Sequence, residues 1–107
     1  MKVTFRQVGG FVPMFLGCEL TTDQLSPAEA AQLRGLVESA GFWTLADVRM
    51  RQAADVPTIW ITVEDGERTH KVAWSMMCVP DAVRGLVAFL RERSHNLLDG
   101  LRAGGER

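Results

Sequence analysis

Residues 58–74 read TIWITVEDGERTHKVAW, two alternating runs separated by Asp65-Gly66, a dipeptide favoured in tight hairpin turns. With Asp65-Gly66 as a two-residue turn, Val63 faces Arg68, Ile61 faces His70 and Ile59 faces Val72 on one side of the ribbon. Thr58, Trp60 and Thr62 share the other side with Thr69, Lys71 and Ala73. Side chains alternate with period two along a strand, so the aliphatic side should meet a core. Trp60 then stands on the outer, polar side.

Working outward, LSPAEAAQLRGLVESAGF (25–42) carries the marks of a helix. Ser26 is a suitable N-cap and Pro27 a suitable first helical residue. Glu29 is placed to close a capping box on the backbone N–H of Ser26. Ala30, Leu33, Leu36, Val37 and Ala40 form one apolar stripe, and Gly41 supplies a left-handed stop. Beyond the hairpin, PDAVRGLVAFLRERSHNLL (80–98) repeats the pattern with Val83, Leu86, Val87 and Leu90. That helix is expected to begin near Asp81 and to run to Leu98, with Gly100 as its stop. Between the first helix and the hairpin, FWTLADVRMRQAADVP (42–57) has no sustained period. It reads as irregular with one helical turn, ended by Pro57.

At the N-terminus, Lys2–Val8 alternates with Val3 and Phe5 on one face, and CELTT (18–22) resumes the alternation. The two strands should pair around VGGFVPMFLG (8–17), a loop longer than most hairpin loops. Phe11, Val12, Met14, Phe15 and Leu16 are unusual residues for a solvated turn. Two placements are open: Phe11 and Phe15 tuck beneath the sheet edge, with Gly9-Gly10 marking a bulge, or the loop is a surface that a partner covers. The order hairpin, helix, hairpin, helix predicts an α+β fold, ββαββα, with a four-stranded antiparallel sheet and two helices on one face. Residues 1–99 are expected to form this single domain and 100–107 a flexible tail.

The totals narrow the function. In 107 residues, 12 Lys and Arg against 13 Asp and Glu leave a formal charge of −1. No overall field recruits nucleic acid or an anionic membrane. The opening MKVTFRQVGGF lacks the apolar run and cleavage site of a signal peptide, and no stretch is long enough for a membrane span, so a cytoplasmic location is expected. Cys18 and Cys78 form no CxxC motif; they could pair, but two buried free thiols are the expected state.

Motifs for catalysis are missing. HExxH, GxSxG, the P-loop and GxGxxG do not occur. His70 and His95 lie in a strand and near a helix end, and with the cysteines they show no metal-ligand spacing. Glu64 with Asp65, and Glu19 with Asp23, read as solvated carboxylates at a turn and a strand end. Arg84, Arg91, Arg93 and Glu92 read as an ordinary charged helix face. No enzyme activity, cofactor or metal of its own is expected. Trp43 and Trp74 are expected in the core, whereas Trp60 is either covered by Lys71 or an interface residue.

Four stretches taken in order, RQVGGF (6–11), LTTDQLSPAEAAQLRGLVESAGFWTL (20–45), IWITVEDGERTHKV (59–72) and PDAVRGLVAFL (80–90), make the chain resemble the emfourins. These are small bacterial proteinaceous inhibitors of thermolysin-family zinc metallopeptidases, notably the protealysin-like ones. The most specific part of the resemblance is Gly9-Gly10-Phe11 together with its spacing to the ITVEDG hairpin. This chain has Val12-Pro13 where the family has a small residue and a further glycine, and AADVP leads into its third strand. The resemblance implies a metallopeptidase partner, occluded by the Gly9–Gly17 loop through Gly9, Gly10, Phe11, Val12, Pro13, Met14 and Phe15. The Phe42–Val56 connection would aid it, or the outer sheet face, where the hairpin register puts Trp60 as a candidate contact. The zinc would be the target's. The rival expectation is an interaction module without a peptidase target, forming a homodimer through Trp60 or pairing along a strand edge.

Overall fold

The computed structural model describes residues 1–9, 14–45, 57–76 and 79–96. Four eight-residue strands, β1 (Lys2–Gly9), β2 (Met14–Thr21), β3 (Thr58–Asp65) and β4 (Arg68–Ser75), pair antiparallel in the spatial order β4-β3-β1-β2. Helix α1 (Pro27–Ser39) follows the first hairpin and α2 (Arg84–Glu92) the second. This is the expected ββαββα arrangement. Val3, Phe5, Ile59, Ile61, Val63, Val72 and Trp74 line one face of the sheet. They share one core with Leu33, Val37 and Ala40 around α1, and with Val83, Leu86, Val87, Phe89 and Leu90 in and before α2.

The second hairpin has the expected faces but another register. Asp65 pairs with Arg68, Val63 with His70, Ile61 with Val72 and Ile59 with Trp74. The turn is therefore Gly66-Glu67, with Gly66 at φ 62°. A positive φ at the first central position is the condition for a type II′ turn, and glycine meets it without strain. Asp65 stays in the strand and takes an ion pair from Arg68 across the turn at 3.4 Å. Because the shift is two residues, every side chain keeps its side.

The first hairpin departs further. Its ladder is unbroken from Lys2–Thr21 to Gly9–Met14, so Phe15, Leu16 and Gly17 belong to β2 and four residues, 10–13, connect the strands. The expected loop from Val8 to Gly17 was too long. β1 is also paired along its other side with β3, from Lys2–Glu64 to Val8–Thr58. A central strand held on both sides carries its neighbour's pairing to the end, whatever the side chains.

Helix α1 is capped locally, with one partner exchanged. Ser26 Oγ accepts from the Glu29 N–H at 3.2 Å, and Gly41, at φ 61°, turns the chain out of α1. The Glu29 carboxylate does not close the capping box. Its Oε2 instead accepts from Arg93 Nε and Nη2 at 3.1 and 3.0 Å, tying α1 to the end of α2. Phe42–Thr44 forms the single helical turn expected there, while residues 46–56 lie outside the described residues.

Helix α2 ends at Glu92, not at Leu98. Ser94 Oγ donates back to the Leu90 carbonyl at 2.8 Å and Arg93 Nη1 to the Phe89 carbonyl at 3.1 Å, which satisfies the last turn. The chain then forms a short strand β5 (His95–Asn96), which pairs with Gly17 and Leu16 of β2. A fifth strand thus covers part of the β2 edge, whose free backbone groups would otherwise face water.

Cys18 is a buried free thiol whose Sγ donates to the Leu90 carbonyl at 3.4 Å; Cys78 lies outside the described residues. Burial raises the Cys18 pKa above its ordinary 9.0, because the thiolate is poorly solvated there. A raised folded-state pKa leaves stability intact below the unfolded pKa and withdraws it as pH climbs through the folded one. Urea unfolding across the alkaline range should therefore show a decline that Cys18→Ala flattens.

Candidate functional site

The hairpin tip is built from the ends of β1 and β2. Gly9, at φ 94°, closes β1 opposite Met14, and Val8 pairs with Phe15. A backbone at that φ strains any side chain, so Gly9 is required by conformation. Both ends of the four-residue connection are thereby fixed by a paired ladder. Gly10, Phe11, Val12 and Pro13, proposed from sequence as contact residues, lie outside the described residues.

Trp60 belongs to a different patch. It pairs with Arg6, three residues before Gly9, which places it about 10 Å back along the ladder from the tip at roughly 3.4 Å per residue. It is the one large apolar side chain exposed among the described residues, at 37%. The Lys71 Nζ lies 5.1 Å from its ring centre. Thr4, Arg6, Val8, Thr62 and Lys71 join it around an open hollow of 380 Å³. At the far end of the same face, Lys2 sits between Glu19 and Glu64 at 3.5 and 3.7 Å.

On the helical side, Ile59, Met76, Val79, Val87 and Ala88 form a groove of 270 Å³ rimmed by Arg84 and Arg91. Both guanidinium groups already have partners: Arg84 pairs with Asp81 at 3.2 Å, and Arg91 donates to the buried Gln7 at 3.2 Å. His70 is occupied as well. Its Nε2 lies 2.7 Å from the Leu45 carbonyl, which can only accept, so that nitrogen carries the proton. Its ring meets Phe42 edge-on at 5.5 Å. Trp43 is half-buried beneath Arg68, and Trp74 is fully enclosed. Among the described residues no three His, Cys, Asp or Glu side chains converge on a metal position, and no described helix is long and apolar enough to cross a membrane.

The sequence pattern of the emfourin family matches residues 5–91, from the middle of β1 to the last turn of α2. The chain belongs to the emfourin family. No curated protein and no solved structure matches it. In this emfourin the matched stretch contains the hairpin tip, Trp60 with Arg6 and Lys71, helix α1 and nearly all of α2, and stops short of β5.

Sequence reasoning overlooked one residue of the outer face, Gly17. Its φ is not positive, so conformation does not demand glycine. Space does: a Cβ there would come within 2.8 Å of both Arg6 Nη1 and the Phe5 carbonyl oxygen. The Arg6 guanidinium therefore lies across the bare backbone of β2. The signal was available as a glycine inside a strand, which often marks a close approach, but it was read as the end of a loop. Gly17→Ala should cost about 1–3 kcal/mol, because the Phe5 backbone cannot give way as a side-chain end can. Urea unfolding measures this directly.

Proposed function

We propose that this emfourin is a stoichiometric protein inhibitor of a thermolysin-like zinc metallopeptidase, acting by steric occlusion of the active-site cleft. The observation that carries the reading is the membership of residues 5–91 in the family together with the short, ladder-bound hairpin tip those residues contain. A loop whose two ends are fixed by backbone pairing loses less entropy on binding than a free one. Phe11, Val12 and Met14 supply apolar side chains suited to a large hydrophobic specificity pocket. Pro13 restricts the backbone and makes the loop a poor substrate. An inhibitor of ordinary size covers about 800 Å² on each partner, more than a four-residue tip can supply, so besides Gly10 within the tip the flanking residues Gly9 and Phe15 take part.

No residue of the chain is assigned a catalytic role in this mechanism, and the zinc belongs to the target. The test is a titration of the full chain into a thermolysin-like peptidase, following cleavage of a peptide substrate. Activity should fall linearly to an end point at one inhibitor per enzyme. Unchanged peptidase activity at micromolar inhibitor, across several enzymes of that class, would remove the reading.

A further inference from the structure

The outer face of the sheet holds charges that the hairpin-tip mechanism does not use. Arg6 and Lys71 flank the exposed ring of Trp60, and neither has an acidic partner among the described residues. The carboxylates nearest on this face, Glu19 opposite Thr4 and Glu64 opposite Lys2, border the hollow and are both engaged by Lys2, at 3.5 and 3.7 Å. Arg6 is moreover a placed cation. Gly17 leaves the room in which its guanidinium lies, and a strand glycine with no dihedral need is otherwise a cost to the sheet.

We propose that this face binds an acidic segment of a protein partner, with carboxylates on Arg6 and Lys71 and an apolar side chain against Trp60. A guanidinium held in one orientation matches a planar carboxylate through two parallel hydrogen bonds. The indole supplies apolar area with little entropy to lose, as aromatic anchors at interfaces do. A second copy of the chain is a poor occupant: a two-fold contact centred on Trp60 would bring the Arg6 and Lys71 pairs of both copies together. Nucleic acid is disfavoured by a net charge of −1, which provides no field to hold a phosphate backbone. The proposal does not rest on peptidase inhibition and is tested without a peptidase.

The experiment is an NMR titration of the ¹⁵N-labelled full chain with three probes at low and high salt. They are a capped pentapeptide of four glutamates around one phenylalanine, the same peptide with lysines for glutamates, and a hexathymidylate. The acidic peptide should shift the amides of Arg6, Trp60, Thr62 and Lys71, less so at high salt, and the lysine peptide should not. Lys71→Glu, at an exposed position, and Arg6→Gln should each weaken binding about threefold or more, the range of a single exposed ion pair. Spectra of the free variants check that they are folded. Absence of shifts at millimolar peptide, or equal binding of the lysine peptide, would overturn the proposal. So would preferential hexathymidylate binding at the same amides, which would make the face a nucleic-acid site, or concentration-dependent shifts of these amides without any peptide, which would make it a contact between copies.

Discussion

Alanine at Phe11 and Met14 together is expected to weaken inhibition of a thermolysin-like peptidase at least a hundredfold while leaving the unfolding midpoint in place. Aromatic and large apolar anchors at the centre of an interface each contribute about 2–4 kcal/mol, and every 1.4 kcal/mol is about tenfold in affinity. Met14 pairs with Gly9 through its backbone, and alanine retains that pairing. Inhibition constants and urea unfolding curves measured on the same preparations separate the two effects. Inhibition as tight as that of the unaltered chain would move the contact surface away from the tip. Loss of inhibition with loss of folding would be reported by the unfolding curve, and the single variants would then be compared.

Trp74→Ala should be the most damaging single substitution in the core. Trp74 is 1% exposed, pairs with Ile59 across the second hairpin and belongs to the cluster formed with both helices. Removing an enclosed aromatic ring costs about 3–5 kcal/mol, the lost transfer energy plus the cavity left where packed neighbours cannot collapse. Against a total stability of about 5–15 kcal/mol for a single domain, that is a large fraction. The thermal midpoint should drop by roughly 15 °C, using about 4 °C for each kcal/mol at this chain length. Trp74→Phe keeps most of the volume and should cost less than half as much. Equal midpoints for the alanine variant and the unaltered chain would contradict the packing described.

How far each feature was legible depended on the distance in the chain over which it is decided. The Ser26 cap, the left-handed Gly41 and the alternation of Ile59, Ile61 and Val63 are properties of a few consecutive residues, and all three were read correctly. Trp60 was placed outward by the same parity, although its hairpin register was read two residues out. The first hairpin misled because Met14, Phe15 and Leu16 do not alternate and Gly17 looks like punctuation, yet β2 pairs straight through them.

The amino-acid sequence by itself determined which faces are apolar, where α1 starts and stops, the order of hairpins and helices, and the family. Period-two and period-3.6 patterns, caps and glycine conformations act within one element, so no partner is needed to read them. Tertiary structure alone decided that Asp65 meets Arg68, that Glu29 turns from its own helix to Arg93, that His95 and Asn96 add a strand to β2, and that Arg6 lies over Gly17. In the last three the partners are 64, 78 or more, and 11 residues apart. A shift of two along a ladder changes every such neighbour without moving one side chain to the other face. The buried pattern is blind to that shift, and the choice falls to turn geometry, to the close approach a missing Cβ permits and to the pairing demands of an open strand edge.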